Sequence, residues 1–389
     1  MRHCMIVDNY YPDIRVERQA RALVRRGHSV DVICLRREGD RSREVIDGIR
    51  IRRLPLQRQR GMGLGPQMLE YLTFMVWSGA LVSVLHLRNR FNVVQVHNVP
   101  DFLVFAALVP RLMGAAILLD LHDLMPEFFA SRIGGSMDSF AVRLVRVQER
   151  ASTGFADGVL TVTDLWRRTL IARGLDDAKV DVVMNLPDDA LFQPRAPEIR
   201  LEPDVITVMY HGTITHRYGI DLLVRAVGQA RDRIPLHLLI HGRGEYLDDL
   251  RTLIDELGMR DMVRLSTELL PTADLPGLIA AADIGVVPNR SDVFTDGILP
   301  TKLLEYAALG IPAVVSRSTA TSAYFTGDMV EYVEPGSVEA LATAIERLAR
   351  DPDRRRKLAT AAQAFTTQHQ WSDEADRYVN VVERLGQLR

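Results

Sequence analysis

The sequence predicts an α/β protein of two domains, each a parallel β-sheet wound with helices, and three observations carry that expectation. Short apolar runs such as Ile284-Gly285-Val286-Val287 recur between amphipathic stretches, the pattern of buried parallel strands alternating with helices. A polar stretch punctuated by Pro187, Pro194, Pro197 and Pro203 interrupts this alternation and reads as a linker. The 389 residues also exceed what a single hydrophobic core organises. The expected division is a first domain over 1–190, a linker over 191–204, a second domain over 205–368 and a terminal helix over 369–389.

In the first half, His3–Asp8 reads as a strand and Arg15–Gly27 as an amphipathic helix with Ala20, Leu23 and Val24 inward. Ser29–Leu35 follows as the second strand. This βαβ opening is Rossmann-like but lacks G-x-G-x-x-G, so a dinucleotide is not expected; its first loop carries Tyr10 and Tyr11 instead. From Arg36 to Arg90 the pattern changes. Arg50, Arg52, Arg53, Arg58 and Arg60 place five positive charges in eleven residues without an acid. A glycine-rich joint over 61–66 then leads into the apolar run Met68–Leu87. A membrane span here would separate strands of one sheet across a bilayer, so spanning is not expected. Two readings stay open: a core helix below a solvated arginine loop, or an interfacial helix whose arginine patch faces anionic lipid. Val93–His97 is a strand, 99–113 a helix, and Ala115–Leu121 the strand that delivers His122, Asp123 and Glu127. A histidine at a carboxyl edge beside two acids is a site candidate. His97, on the neighbouring strand end, is as readily a satisfied structural histidine. Helices over 138–156 and 164–173 and strands over 158–162 and 180–183 complete the domain.

The second half restarts with a strand over 205–210, the loop His211–Gly219 and a helix from Ile220. Leu236–His241 feeds Gly242-Arg243-Gly244, where glycines permit close backbone approach. The most informative stretch is the strand ending at Val287, the loop Asn289–Leu299, a helix from Pro300-Thr301-Lys302 stopped by Gly310 and Pro312, and a strand over 313–316. In an open α/β sheet such a loop lies at the carboxyl edge, where ligands bind. The helix start and Lys302 suit a phosphate, and Glu305, one turn further, can accept two ribose hydroxyls. The plainer reading is a surface helix with one salt bridge, but only three of the 48 basic residues are lysines and one falls here.

Pro300, Lys302, Glu305, Tyr306, Gly310 and Pro312 resemble the second half-site of the retaining family-four glycosyltransferases, which have the GT-B fold. Many members carry two glutamates separated by seven residues. The second matches Glu305, whereas the first position is Gly297, with Asp296 before it. The resemblance implies two Rossmann-like domains facing across a cleft and a last helix that crosses back to the first domain. It implies a nucleoside-diphosphate sugar on the second domain and, on the first, an acceptor that in many relatives is lipid-linked. His122 would lie against the donor sugar. Arg217, one residue from the family position that Tyr218 fills, would join Lys302 on the diphosphate. Gly212, Thr213, Gly242, Gly244 and Thr301 would contact the donor, Glu305 its ribose, and Asp296 with Gly297, Ile298 and Leu299 its sugar. Tyr10, Tyr11, His97, Asp123 and Glu127 are the acceptor-side candidates.

Composition limits the remaining classes. Hydrophobic content of 47% and charged content of 25% are those of a soluble globular protein, and a net charge of −2 argues against nucleic acid as a partner. The basic excess is local, +4 over residues 1–190 against −6 over the rest. Cys4 and Cys34 cannot make a disulfide framework or a metal cluster, so a reducing compartment is expected. The N-terminus turns polar too early for a secretory leader, which points to the cytoplasm, with peripheral attachment to the inner membrane face left open. Neither a Ser-His-Asp arrangement nor a metal-ligand set stands out, so no metal or cofactor is assigned. Two alternatives to transfer stay open: a nucleotide-sugar epimerase on the same fold, and a non-catalytic nucleotide- or lipid-binding subunit.

Overall fold

The computed structural model describes residues 1–11, 13–57, 63–194 and 205–387. The chain divides into two compact units, Met1–Asn185 with Ser372–Arg389, and Leu186–Trp371. Most of the linker expected at 191–204 lies outside the described residues, as do Arg58 and Arg60.

The first unit is built on β1 (Arg2–Tyr10), α1 (Ile14–Arg25), β2 (Ser29–Leu35), β3 (Arg43–Ile46), β4 (Ile49–Leu54), α2 (Leu64–Asn89), β5 (Val93–His97), a 3₁₀ turn over Asp101–Ala107 running into α3 (Leu108–Leu112), β6 (Ala116–Asp120), α4 (Met125–Ile133), α5 (Phe140–Phe155), β7 (Gly158–Thr161), α6 (Asp164–Ala172) and β8 (Val180–Val182). The sheet order is β3-β4-β2-β1-β5-β6-β7-β8, parallel except for the β3–β4 pair. Asp13 starts α1 by accepting from the N–H groups of Arg15 and Val16, which otherwise lack helical partners. Ala20 and Leu23 are buried as expected, and Val24 is half-buried.

The described start of the arginine-rich stretch is a strand, not a loop. Ile49-Arg50-Ile51-Arg52 alternates at the strand period, turning both isoleucines into the core. In register with β2, Arg50 and Arg52 both reach the buried Asp31, at 2.7 and 3.2 Å. Arg53 is buried against Asp40 and Glu44. Three arginines of the stretch that was open to a lipid-facing reading are therefore structural partners of acids that lie up to 21 positions away in sequence.

The second unit comprises β9 (Ile206–His211), a 3₁₀ turn over His216–Tyr218, α7 (Ile220–Ala230), β10 (Leu236–His241), α8 (Leu247–Glu256), β11 (Val263–Ser266), α9 (Leu275–Ile279), β12 (Ile284–Val287), a 3₁₀ turn over Thr295–Gly297, α10 (Thr301–Leu309), β13 (Ala313–Ser316), α11 (Thr319–Tyr324), β14 (Glu331–Val333), α12 (Val338–Arg350) and α13 (Pro352–Gln368). Its six strands run in the order β11-β10-β9-β12-β13-β14, all parallel. Gly285 on β12 admits the Tyr306 ring of α10, since a Cβ there would lie 2.5 Å from it.

The last helix, α14 (Trp371–Gln387), packs on the first unit. Tyr378 donates to Gln95 on β5, the Glu374 carboxylate accepts from the Met184 N–H, and Leu385 fills the space left by Gly158 on β7.

Candidate functional site

In the second unit, β9 ends at His211 and the chain turns through Gly212 at a φ of +116°, a conformation that glycine adopts without strain. The opening this leaves is filled by Lys302 from the first turn of α10. Its Cε would sit 3.4 Å from a Cβ at Gly212. Lys302 is buried, with its ammonium 4.5 and 4.8 Å from the ring centroids of Tyr210 and Tyr218 and 3.4 Å from the Tyr210 hydroxyl. No carboxylate pairs with it among the described residues, and burial pulls its pKa down to about 8, against the opposing pull of Glu305. The first N–H groups of α10 precede the first backbone bond of the turn, from Leu303 to the Pro300 carbonyl. A cation and a helix start thus converge on one point, which is the electrostatics of an anion site.

Glu305 follows one turn later, where Oε2 meets His211 Nε2 at 2.5 Å. His211 Nδ1 lies 3.1 Å from the Tyr306 hydroxyl, which donates to the Met209 carbonyl. His211 was not a sequence candidate. Its position at a strand end, just before a glycine, was the available signal.

The remaining donor-side candidates divide. Tyr210 donates to the Thr213 carbonyl, tying Thr213 to the lysine cage. A Cβ at Gly242 would lie 1.8 Å from the Gly212 carbonyl oxygen, and one at Gly244 would lie 1.9 Å from that of Ile214. The close approach these glycines permit is to the neighbouring loop. Arg217 sits with its guanidinium 5.5 Å over the Phe294 ring, while the next residue, Tyr218, covers Lys302. Asp296 accepts from the Thr319 N–H at the start of α11. It lines a small pocket with Ser316, Ser318 and Thr321, and no hydrogen bond joins it to Lys302, Glu305 or Arg217 among the described residues. The Gly297 and Ile298 N–H groups are used within the 3₁₀ turn, bonded to the Phe294 and Thr295 carbonyls. Leu299 is buried.

In the first unit the centre is Asp120, the last residue of β6, which sequence reading passed over. Arg15 holds it through two bonds of 2.8 and 3.1 Å, and Gln19 donates at 2.8 Å. Burial alone would raise its pKa, but Arg15 and His122 outweigh that and hold the carboxyl well below its usual range. His97 Nδ1 lies 3.3 Å from Asp120 and 3.0 Å from His122 Nε2. Burial lowers the pKa of His97 against the pull of Asp120. The structure thus joins His97 and His122, with Asp120 as the acid beside them in place of the two expected acids. Glu127 pairs with Arg173, which also binds Glu149, and the Asp123 carbonyl accepts from Asn98. Tyr11 is 2% exposed and belongs to the core, so it cannot present itself to an acceptor. Tyr10 is half-buried below the Arg37 guanidinium. The ligand atoms of His97, Asp120 and His122 lie within 4.8 Å of one another, a spacing that would admit an ion. Asp120, however, already accepts N–H donors on both oxygens, and Arg15 would repel a cation, so the cluster fits a hydrogen-bonded network better than a ligand set.

Comparison with known proteins identifies the fold and the family. Solved structures share the fold over the full chain. Sucrose-phosphate synthase from Thermosynechococcus elongatus superposes with a TM-score of 0.79 at 18% identity, covering 100% of both chains. Anabaena HepE, solved in complex with UDP and glucose, gives 0.70 at 14% identity, covering 98% of this chain and 99% of that one. The fold is GT-B, and the match to the Glycosyl transferases group 1 domain sets its class, the nucleotide-sugar glycosyltransferases. The Glycosyl transferase 4-like domain matches residues 12–185 and the Glycosyl transferases group 1 domain matches 193–365, so the chain belongs to the family-four glycosyltransferases. Among curated relatives, a GDP-mannose-dependent alpha-(1-6)-phosphatidylinositol monomannoside mannosyltransferase of Mycolicibacterium smegmatis is 32% identical over 174 residues, 43% of this chain and 44% of that protein, less than half of its length. A phosphatidylinositol N-acetylglucosaminyltransferase subunit of Arabidopsis thaliana is 23% identical over 89% of this chain and 74% of its own.

Proposed function

We propose that the protein transfers a hexose from a nucleoside-diphosphate sugar to a lipid-linked acceptor, with retention at the anomeric carbon. The observation that carries the donor half is Lys302, a buried cation caged by two tyrosine rings at the start of α10 with no carboxylate paired to it. When the bond from C1 to the β-phosphate oxygen breaks, its electron pair stays on that oxygen, which takes the proton of the acceptor hydroxyl as the new C1–O bond forms. Lys302, the N–H groups of α10 and Arg217 would offset the charge, and Glu305, oriented by His211, would hold the ribose. On the first unit, His122, backed by His97 and Asp120, is a polar group offered to substrate. The acceptor half is supported by two relatives whose names specify phosphatidylinositol-based substrates.

Thermal-shift screening against nucleoside diphosphates and their sugars tests the donor half, since a ligand that binds only the folded state raises its stability. Absence of stabilisation by every nucleoside diphosphate would sink the reading. Incubation with donor alone separates transfer from epimerisation, because an epimer formed without acceptor would reassign the reaction. With Lys302 and α10 supplying the charge, transfer should persist in excess chelator. Loss of activity restored by a divalent ion would show that a metal performs that role.

A further inference from the structure

We propose that the face of the first unit formed by α2, α3 and α5 docks in the plane of an anionic membrane. This deepens the lipid-acceptor reading and rests on it for its purpose, though not for its geometry. The helix α2 is long and apolar enough to cross a membrane by composition, yet only 22% of its apolar window is buried. A core helix of such composition would be largely covered. Spanning is equally excluded, because Phe74, Ser78, Val82 and Leu85 commit the opposite side of the helix to the unit's interior.

The uncovered side is a stripe. Leu69, Leu72, Val76, Val84 and Leu87 recur at helical spacing and are all exposed, Leu69 at 67% and Val76 at 65%. From Leu69 to Leu87 the stripe runs about 27 Å. It does not end at α2. A Cβ at Gly79 would lie 3.3 Å from the Ala106 carbonyl oxygen, so α2 lies directly on the 3₁₀ turn before α3. That turn meets α5 on its other side, where the Phe105 and Phe155 rings are 5.1 Å apart. These neighbours add Leu112, 77% exposed, and Phe140 and Val147, at 76% and 66%. Right-handed crossovers place all three elements on one side of the sheet, so these residues share a surface. Monomeric proteins rarely leave an apolar area of this extent open to water.

Charge identifies the occupant. Arg88 and Arg90 close α2, and Arg143 and Arg150 stand among the apolar residues of α5, all four exposed and in no ion pair among the described residues. No acid of α2, α3 or α5 is fully exposed: Glu70 of α2 is half-buried, Glu149 is buried and paired with Arg173, and Asp138 precedes α5. A second copy of this face would bury Arg143 and Arg150 beside Leu144 and Val147 without acidic partners, at high desolvation cost. An anionic bilayer satisfies both features, with acyl chains for the apolar stripe and lipid phosphates for the guanidinium groups.

The test uses the full chain in vesicle flotation, with phosphatidylcholine vesicles with or without phosphatidylglycerol. Wild type should float with the anionic vesicles and be released by salt. Leu72→Glu/Val76→Glu should abolish flotation, and Arg143→Gln/Arg150→Gln should weaken it about thirtyfold. Circular dichroism and the nucleoside-diphosphate thermal shift should match wild type in both variants, since neither pair lies in the donor site. Equal flotation of wild type and both variants, or none for wild type on anionic vesicles, overturns the proposal. So does a concentration-dependent dimer that Leu72→Glu/Val76→Glu dissolves. Failure to float with the thermal shift intact defeats docking alone. Flotation without any thermal shift leaves docking standing and defeats the donor reading.

Discussion

Asp120 in the first unit and Lys302 in the second are both buried ionisable groups at the edge of a parallel sheet, and their surroundings treat them in opposite ways. Asp120 is held by Arg15, Gln19 and His97, and its carboxyl is kept ionised, well below the usual range. Lys302 is given two aromatic faces and one hydroxyl, and its pKa falls to about 8. A buried charge supplied with partners is part of the architecture. A buried charge left with its energetic cost uncompensated waits for a ligand that supplies the opposite charge.

That contrast predicts effects of opposite sign. Lys302→Met should reduce donor turnover by roughly a hundredfold or more while stabilising the ligand-free protein. The cost of burying the ammonium is present below pH 8 and is relieved as pH rises from about 8 to 10.5, so removing the charge should gain up to about 3 kcal/mol at neutral pH. Asp120→Asn should instead lose about 3–5 kcal/mol, because Arg15 is left buried without its counter-ion. Denaturant titration of the two variants compares them directly, and a destabilised Lys302→Met would break the contrast. The next effect concerns binding alone. Glu305→Gln should raise the donor KM about tenfold to a hundredfold with kcat little changed, since ribose bonds persist from ground state to transition state. Arg217→Ala should act on kcat; a kcat near that of wild type would leave Arg217 as a packing partner of Phe294. Smallest is the pH effect. Diphosphate affinity, measured by calorimetry, should be flat below pH 8 and fall about tenfold per unit above it as Lys302 loses its proton. Affinity that stays level to pH 10 would detach Lys302 from the phosphate.

The fold was legible because parallel strands buried on both faces read as unbroken apolar runs, and the helices between them carry clear stops such as Gly310 and Pro312. The β3–β4 hairpin was not, because it hides one buried face behind arginines. Only the pairing of β4 with β2 shows that Asp31 neutralises Arg50 and Arg52. The same limit governed the candidate site. Lys302 and Glu305 share one helix and could be read from their spacing. The partners that orient the site come from elsewhere in the chain: His211 on β9 for Glu305 on α10, and Asp120 on β6 for His97 on β5. Asp120 in particular ends an apolar run and looks like a strand terminus until Arg15 and Gln19, 101 or more residues earlier, are folded against it.

The return of α14 to the first unit sets an order of events during synthesis. The Gln95 and Met184 groups that Tyr378 and Glu374 satisfy, and the space that Leu385 fills beside Gly158, stay open until α14 leaves the ribosome. At ribosomal speeds the residues from Leu186 to Trp371 take roughly 10–40 s to translate, during which the second unit can mature while the first remains incomplete. The part made first is thus completed last, and a nascent chain that stalls or is cut before Ser372 would carry a finished donor-binding unit attached to an unsealed partner.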